Sequence, residues 1–230
     1  RSFVNNLKKG VAGRLSSLFQ NPYKKTGLTW LKLKQLKHLP AGKLRSVTFL
    51  NKPIYFIAPA EFLYGVKEMF IDEIYKQRLP PNPVIIDCGA NIGLSIIYIK
   101  ENYPGAKVIA FEPDDANFRL LEDNVRSFGY SDISLRKEAV WIANTQLQFA
   151  ASGSMSSKID EAGGSDTKKV NAVRLKDLLT EKIDFLKIDI EGAEYPVLKD
   201  IKENLSNIAN LFVEYHGNFK QARELTDILT

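Results

Sequence analysis

The spacing of apolar residues changes along the chain, and the change predicts where helices and strands lie. In residues 4–20 the apolar side chains recur at helical spacing, which predicts an amphipathic helix with Val4, Leu7, Val11, Leu15, Leu18 and Phe19 on one stripe. Residues 46–50 and 54–58 favour a hairpin around a turn at Asn51, Lys52 and Pro53, and residues 61–77 favour a helix that ends before Pro80. We therefore predict a helical and hairpin extension over residues 1–80.

From residue 84 onward the pattern alternates between strands and helices. The apolar run 84–88 suits a strand buried on both faces, and further strands are predicted at 107–111, 133–136, 170–173, 183–190 and 208–215, while residues 141–150 alternate only weakly. Helices are predicted at 91–102, between an N-cap at Asp114 and a C-cap at Gly129, around 177–179, at 193–204 and from Phe219. This alternation implies right-handed crossovers and a doubly wound, mainly parallel, Rossmann-like α/β sheet over residues 81–230.

Two stretches stand outside this pattern. Residues 151–169 are rich in Ser, Gly and charge, which predicts a loop. Its part from Gly153 to Gly164 is expected to be either a lid over the substrate or a plain disordered loop.

The chain stops at Thr230, inside a predicted helix, although sheets of this kind usually gain further strands after that point. We expect either a short sheet or a domain truncated at its C-terminal end.

Composition excludes several classes of protein. One cysteine and two histidines cannot form an internal disulfide framework and leave little for a structural zinc site. No apolar run approaches the ~20 residues of a membrane helix, and no signal-peptide core is visible. We therefore predict a cytoplasmic protein, with any membrane contact being peripheral. The chain begins at Arg1 and not at Met, so a targeting signal upstream would not be visible.

Charge is distributed unevenly along the chain. Twelve basic residues precede the first acidic residue, Glu61, whereas the rest of the chain has 20 basic against 27 acidic residues. Such asymmetry predicts an acidic partner for the first segment. Three partners stay open: an anionic membrane surface contacted through residues 1–45, a charged glycan, or the acidic body of the protein itself. No nucleic acid is expected.

Acidic residues follow the predicted strands of the sheet. They are Asp87, Glu112, Glu138, Asp189 and Glu214. In a doubly wound sheet ligands bind beyond the carboxyl ends of the strands, so these five side chains are expected on one rim. Like charges that lie close together cost free energy unless a cation or hydrogen-bond donors compensate them. The rim is therefore a candidate site for a positively charged ligand.

The turn after the first of these strands reads Asp87, Cys88, Gly89, Ala90, Asn91, Ile92, Gly93. Glycines let the backbone turn tightly and leave amides at the following helix N-terminus as donors. Glu112 ends the next strand, roughly 20 residues further on, where an acid accepts hydrogen bonds from ribose hydroxyls. The glycine turn and Glu112 together predict an adenosine ligand. It would lie in the turn at residues 87–95, with its ribose hydrogen-bonded to Glu112.

Two kinds of adenosine ligand fit such a turn. A dinucleotide site normally shows a G-x-G-x-x-G turn, and the residues between Gly89 and Gly93 break that pattern. At 5 Å and an effective dielectric constant near 20, one carboxylate attracts one cation by ~3 kcal/mol and repels a phosphate comparably. The acidic rim thus favours S-adenosylmethionine, which carries a sulfonium and an ammonium group, over a diphosphate.

Four stretches resemble the FkbM-type methyltransferases. They are DCGANIGLS at 87–95, FEPDDANF at 111–118, LKIDIEGAEYPVL at 186–198 and VEYH at 213–216. The resemblance implies methyl transfer from S-adenosylmethionine to a hydroxyl oxygen of a sugar, a glycan or a natural product. It assigns Asp87, Gly89, Asn91 and Gly93 to the methionine end of the cofactor, Glu112 to the ribose, and Glu138 with Ala139 to the neighbourhood of adenine. Ala90, Ser95, Pro113 and Asp189 complete the predicted cofactor contacts.

The group that removes the hydroxyl proton stays open between two residues. His216 has the most suitable intrinsic pKa, and strand alternation puts it on the same face as Glu214, which could orient its ring. Asp189 at the neighbouring strand end is the other candidate base. Alternatively, His216 is only a hydrogen-bonded structural histidine. Glu191 and Glu194 fall in the first turn of a helix, where its dipole favours acids in any case.

Other functions are also open at this stage. Asp189, Glu191 and Glu214 could hold Mg²⁺, which prefers oxygen ligands, although this is the less favoured reading. A non-catalytic adenosine-binding module, recruited to a membrane or glycan by its basic extension, would show the same turn. An NAD-dependent oxidoreductase is the remaining alternative, and it would bind a diphosphate at the acidic rim.

Overall fold

The computed structural model describes residues 21–150, 158–159 and 167–229. The predicted helix at 4–20 lies outside the described residues. A 3-10 helix, Pro22–Thr26, comes first, followed by α1 (Trp30–Lys37), β1 (Arg45–Phe49), β2 (Lys52–Phe56) and α2 (Pro59–Val66). The last of these continues as a π-helical segment over Lys67–Ile71, so the helical stretch ends before the predicted residue 77.

The hairpin of β1 and β2 has a shorter turn than predicted, which begins one residue earlier and ends two residues earlier. Phe49 pairs with Lys52, and the two turn residues Leu50 and Asn51 have φ of 49° and 66°. A tight hairpin turn needs positive φ at its central residues because only that twist matches the strands. Pro53, expected in the turn, lies inside β2 opposite Thr48.

The second part of the chain alternates strands and helices as predicted. In chain order the elements are β3 (Val84–Cys88), α3 (Leu94–Asn102), β4 (Lys107–Phe111), α4 (Asp115–Phe128), β5 (Ile133–Arg136), β6 (Ala139–Trp141), β7 (Thr145–Ala150), β8 (Lys158–Ile159), β9 (Thr167–Arg174), β10 (Phe185–Ile188), α5 (Glu194–Asp200), β11 (Leu211–Val213) and α6 (Phe219–Leu229). Two 3-10 helices, Leu175–Leu178 and Lys202–Asn207, complete them. Helix α3 begins later than predicted because Asn91 and Gly93 have left-handed φ of 50° and 92°.

Five of these strands form the central sheet in the order β11-β10-β3-β4-β5, with every pairing parallel. The predicted α/β fold with a parallel, Rossmann-like sheet is confirmed. Alternate residues of one strand enter opposite cores: Ile85 joins the cluster with α3, while Ile86 joins the cluster with α5. A strand buried on both faces is mainly apolar, which explains Val84, Ile85, Ile86 and Cys88, while the buried Asp87 among them is the exception.

A second sheet was not predicted. It has the order β6-β9-β7-β8, in which β6 and β9 are parallel and the other pairs antiparallel. The weak alternation at 141–150 covers the last residue of β6 and the whole of β7, which are separate strands at 139–141 and 145–150. Strand β8 and the start of β9 also correct the predicted loop at 151–169, and the remainder of that loop lies outside the described residues.

The predicted N-cap and C-cap of helix α4 are confirmed. Asp114 accepts hydrogen bonds from the N–H groups of Ala116 at 2.9 Å and Asn117 at 3.0 Å, and Gly129 ends the helix with φ of 68°. These contacts satisfy backbone groups that a helix end leaves without partners. The cap fixes the start of α4 directly after Glu112 and Pro113, which are predicted site residues.

The described part of the extension shares a core with the parallel sheet. Phe49, Phe56 and Phe62 belong to the same buried cluster as Ile97 of α3 and Val108 of β4. Phe56 and Phe62 stack with their ring centroids 4.4 Å apart. The hairpin and α2 are therefore held against one side of the sheet, while the division of the chain at residue 80 remains a prediction. Within the described ranges, no helix is both long and apolar enough to cross a membrane.

Candidate active site

A cleft opens at the carboxyl ends of β3, β4 and β10, on the rim where the acidic residues were expected. Together with its open mouth it encloses about 1070 Å³. The strand ends and the start of α3 contribute Gly89, Ala90, Asn91, Ile92, Leu94, Ser95, Phe111, Glu112, Pro113, Lys187, Asp189, Ile190 and Glu191. The start of the second sheet adds Glu138, Ala139 and Val140, and Asn117 comes from α4.

The opposite wall comes from the extension, which was not predicted to reach the site. Phe56, Ile57, Ala58, Glu61, Phe62, Gly65 and Met69 line this wall. Two features of the sequence could have indicated this wall. The hairpin and α2 come immediately before β3 in the chain, and they carry an apolar face that must pack against something. The cleft is thus a space between two parts of the chain, with an apolar side and an acidic side.

Several backbone N–H groups of the glycine turn donate hydrogen bonds within the protein. The N–H groups of Gly89 and Ala90 both donate to the carbonyl of Phe111, at 3.0 and 2.8 Å. The N–H of Asn91 donates to Oε2 of Glu112 at 2.9 Å. These bonds tie the end of β3 to the end of β4. The N-terminus of α3 has no side-chain cap, and its first residues Leu94 and Ser95 line the cleft.

Two glycines of the turn, Gly89 and Gly93, have left-handed φ. A Cβ atom on Gly89, which has φ of +90°, would lie 1.8 Å from the carbonyl oxygen of Asp189. A Cβ atom on Gly93 would lie 2.8 Å from Cδ1 of Leu121 on α4, and Gly93 does not line the cleft. The close approach of Asp189 thus requires Gly89, which also lines the cleft, whereas Gly93 is required mainly by its φ of +92°, because the end of the Leu121 side chain can shift. Contact of either glycine with a ligand stays a prediction.

Lys187 is the main feature of the site that sequence reasoning missed. Its ammonium group is buried, 3.3 Å from Oδ1 of Asp87 and 3.2 Å from Oδ2 of Asp189, and it donates to the carbonyl of Gly89 at 2.8 Å. Burial alone would lower the pKa of Lys187, but the two carboxylates outweigh it and hold that pKa well above its ordinary value. A lysine inside the apolar strand LKI was the available signal.

This ion pair changes the electrostatic argument made from the sequence. Asp87 is fully buried, accepts a hydrogen bond from Ser95 Oγ, and does not line the cleft itself. Because Lys187 lies between Asp87 and Asp189, its single positive charge compensates one of these two negative charges and so reduces the need for a cationic ligand. The charge of the rim therefore favours a sulfonium ligand less strongly than the five carboxylates suggested.

Glu112 lies where a ribose-binding acid was predicted. It is only 6% exposed, accepts the N–H of Asp114 on Oε1 at 2.8 Å and the N–H of Asn91 on Oε2, and borders the cleft. Burial raises the pKa of Glu112 to about 7, although the two backbone amides favour its ionised form. Each carboxylate oxygen has a second lone pair that a ligand hydroxyl can use.

His216 lies behind the rim, surrounded by four acids. Its Nδ1 is 3.2 Å from Glu194 and 3.9 Å from Asp189, and its Nε2 is 3.7 Å from Glu214 and 3.9 Å from Glu191. Burial lowers the pKa of His216, but the hydrogen bond to Glu194 and the surrounding negative charges raise it above its ordinary value overall. The predicted contact with Glu214 is too long for a hydrogen bond, and Glu194 takes that place.

Of the three predicted catalytic residues, only Asp189 lines the cleft among the residues that the structure describes. His216 and Glu214 form the layer next to it. Ligand atoms of Asp189, Glu214 and His216 lie within 4.8 Å of one another, a set that differs from the Asp189, Glu191 and Glu214 expected for Mg²⁺. Lys187 contacts Asp189 beside this set, but its single positive charge is shared with Asp87.

The sequence of this domain matches a known family. A family profile described as "Methyltransferase FkbM domain" matches residues 87–230. The chain belongs to the FkbM methyltransferase family. The match begins at Asp87, the first residue of the glycine turn, and extends past His216, so it includes all the strand ends that border the cleft. This FkbM-type methyltransferase is therefore an enzyme of the transferase class.

Individual relatives agree with this assignment. "Methyltransferase sdnD" of Sordaria araneosa is 31% identical over 194 residues, which cover 67% of this chain and 74% of the relative. "31-O-demethyl-FK506 methyltransferase FkbM" of Streptomyces tacrolimicus is 27% identical over 198 residues, which cover 68% and 75%. The crystal structure of methyltransferase FkbM from Methylobacillus flagellatus KT matches with a TM-score of 0.52 and 22% identity. That match covers 66% of this chain but 38% of the solved one, and it shows a common fold.

Proposed function

We propose that this FkbM-type methyltransferase binds S-adenosylmethionine and transfers its methyl group to a hydroxyl oxygen of a sugar, a glycan or a natural product. The observation that carries the proposal is the buried carboxylate of Glu112, which borders the cleft directly beside the glycine turn. An acid at the end of the second strand of such a sheet accepts hydrogen bonds from ribose hydroxyls. The cleft continues from that point toward Asp189 and Glu191.

The residues divide into three groups along the cleft. Gly89, Ala90, Asn91 and Ser95 would hold the methionine end, Glu112 the ribose, and Pro113, Glu138 and Ala139 the adenine. All of them line the cleft. Asp87 and Gly93 would act indirectly, since Asp87 holds Ser95 and Lys187 while Gly93 packs on α4. Asp189 lies where the cofactor and the acceptor would meet.

When bound, S-adenosylmethionine supplies a methyl carbon whose bond to sulfur breaks, with the electron pair left on sulfur, as the acceptor oxygen bonds to it. Much of the rate can come from holding the acceptor in line, because orientation alone contributes several kcal/mol, up to ~7–11, in favourable cases. The protein must also accept the hydroxyl proton. The name of the Streptomyces tacrolimicus relative refers to an O-methylation, which supports oxygen as the acceptor atom.

Charge around the acceptor side limits the substrate. Glu61, Asp189 and Glu191 line this side, whereas the cation Lys187 is buried in its ion pairs. A phosphorylated or carboxylated acceptor would be repelled there. An uncharged polyol or macrocycle, with part of its surface on the apolar wall of Phe56, Phe62 and Met69, fits the two sides of the cleft.

Calorimetry provides the first test of this proposal. The purified chain is titrated with S-adenosylmethionine, with S-adenosylhomocysteine and with NAD. We expect binding of the first two and none of the third, and Glu112→Gln should weaken both. Incubation with methyl-labelled cofactor and a panel of uncharged hydroxyl compounds then tests transfer. Binding of NAD alone would refute the proposal, and binding of the methyl donor with label appearing only on nitrogen would refute O-methylation.

A further inference from the structure

Glu194 is a buried acid for which the proposed function has given no role. It is 0% exposed, although it is the first residue of α5, where an acid would normally face solvent. Its carboxylate accepts the N–H of Ile190 at 3.1 Å and the N–H of Gly192 at 3.0 Å on both oxygens. A dipole preference accounts for an acid near a helix start, but not for its complete burial with this set of donors.

The same carboxylate holds His216 on the neighbouring strand end. Nδ1 of the imidazole lies 3.2 Å from Oε1 of Glu194, and the backbone N–H of His216 lies 3.4 Å from Oε2. Since an ionised carboxylate can only accept hydrogen bonds, the ring must donate from Nδ1. Glu194 therefore ties the turn after β10 to the segment that follows β11, and it sets which ring nitrogen carries the proton.

The other ring nitrogen faces the acidic rim. Nε2 lies 3.7 Å from Oε1 of Glu214 and 3.9 Å from Oε2 of Glu191, both longer than a direct hydrogen bond. Asp189 is 3.9 Å from Nδ1 and is itself paired with Lys187. All four acids that face the ring thus come from the ends of β10 and β11 and the start of α5.

We propose that Glu194 is a positioning residue that keeps the neutral imidazole of His216 protonated on Nδ1, so that Nε2 is the nitrogen that takes up the proton of the substrate hydroxyl. Because His216 lies behind the cleft wall, the proton reaches Nε2 by way of Glu191, which lines the cleft and has its Oε2 3.9 Å from Nε2. This inference rests on the proposed O-methyl transfer for its chemistry, but not for its geometry. In that step the hydroxyl proton passes through the Glu191 carboxylate to Nε2 while the oxygen forms its new bond to carbon. The ring becomes a cation that Glu194, Glu191, Asp189 and Glu214 surround, so its charge is stabilised as it forms.

Nuclear magnetic resonance of nitrogen-labelled histidine tests this directly, without any substrate. The sequence has two histidines, and the other, His38, is exposed at the end of α1 and serves as an internal reference. His38→Asn assigns the two sets of signals. Spectra of the full chain recorded above the pKa of His216 should show its proton on Nδ1, whereas His38 should show the Nε2 proton that free histidine prefers. A neutral His216 with its proton on Nε2 in the unaltered chain overturns the proposal.

Two variants separate positioning from a purely structural role. Glu194→Ala should move the proton of the neutral ring to Nε2, and Glu194→Gln should lower the pKa of His216 while retaining one acceptor oxygen. Glu214→Gln is the matched control, because Glu214 contacts the other nitrogen at a longer distance and should leave the Nδ1 proton in place. Loss of the Nδ1 proton in Glu214→Gln, with retention in Glu194→Ala, contradicts the assignment. Should Glu194→Ala fail to fold, the spectrum of the unaltered chain still decides.

Activity supplies the second readout once an acceptor is known. The rate should rise with pH through the raised pKa of His216, and Glu194→Gln should move that rise to lower pH, lowering kcat and leaving KM within about twofold. An unchanged pH profile in Glu194→Gln would overturn the role of Glu194. Calorimetry with S-adenosylhomocysteine keeps the two proposals apart: failure of binding refutes the proposed function, whereas normal binding with the wrong tautomer refutes only this inference.

Discussion

Lys187 and Asp87 form a buried ion pair with 3.3 Å between Nζ and Oδ1, and the side chains are 2% and 0% exposed. They sit side by side on β10 and β3, where Lys187 is the register partner of Asp87. A buried charge left without its partner is far more costly than the pair, because the low-dielectric interior does not solvate it. Lys187 also contacts Asp189, so one lysine holds two strand ends of the site in place.

We expect Lys187→Met to destabilise the fold by about 3–5 kcal/mol, the usual cost of removing one partner of a buried ion pair. The methionine matches the lysine stem in length but leaves Asp87 and Asp189 uncompensated. Urea denaturation followed by circular dichroism measures the loss. Lys182→Met, at an exposed lysine of the same part of the chain, is the control and should change stability by less than ~0.5 kcal/mol. Equal effects of the two substitutions would show that the buried pair is not what holds the rim.

A second prediction concerns the close approach of β3 and β10. Gly89→Ala places a Cβ atom 1.8 Å from the carbonyl oxygen of Asp189. Gly42 is a matched control, since its φ of +87° is nearly that of Gly89 at +90°, yet nothing lies within 4 Å of its Cβ position. Both alanines carry roughly 1–2 kcal/mol of left-handed backbone strain.

The difference between the two variants isolates the steric clash. Gly89→Ala should cost about 1–3 kcal/mol more than Gly42→Ala in denaturation experiments, because the strand ends must separate to admit the methyl group. It should also weaken binding of S-adenosylhomocysteine, which Gly42→Ala should not. If both variants lose the same stability and bind equally well, a glycine is needed at position 89 only for its left-handed φ and not for the close approach of Asp189.

These contacts show which parts of the structure a sequence can predict. The apolar runs at 84–88 and 107–111, the cap at Asp114 and the stop at Gly129 depend on neighbours in the chain, and all four were predicted where the structure has them. The parallel sheet followed, because strands that alternate with helices allow few other arrangements. Acids at the strand ends could be assigned to one rim for the same reason.

Other features depend on contacts between distant residues. Glu194 acts through His216, which lies 22 positions further on, and Lys187 acts through Asp87, which lies 100 positions earlier in the chain. Local spacing in the sequence does not indicate either pair. Glu194 was therefore attributed to the helix dipole, and Lys187 was overlooked. The second sheet was missed because its short strands depend on pairing between distant residues, such as Ala139 of β6 with Ala172 of β9.

A third prediction follows from the pKa of Glu112, which burial raises to about 7. Ribose hydroxyls donate to the ionised carboxylate, so a bound ligand favours the deprotonated form. Affinity for S-adenosylhomocysteine should therefore be constant above pH 7 and fall as the pH decreases below it, by up to about tenfold per unit. Calorimetry between pH 5.5 and 8.5 measures this.

Glu112→Gln supplies the control for that titration. Glutamine cannot ionise, and its NH₂ group would oppose one of the two backbone amides of Asn91 and Asp114, so affinity should be low at every pH. A wild-type affinity that does not change between pH 5.5 and 8.5 would mean that the carboxylate of Glu112 does not contact the ligand.

The last prediction tests whether the extension forms part of the cleft. Phe62 is 1% exposed, stacks on Phe56 and lines the apolar wall, whereas Phe128 is 3% exposed and belongs to the same core without lining the cleft. Replacing either by alanine should cost about 3–5 kcal/mol of stability, since a similar ring is removed from a packed interior. Under conditions where both variants remain folded, Phe62→Ala should weaken binding of S-adenosylhomocysteine or of an apolar acceptor by tenfold or more, because the wall collapses into the space it leaves. Phe128→Ala should bind as the unaltered chain does. Equal affinities for the two variants would place the ligand on the strand ends alone and assign the hairpin and α2 a purely structural role.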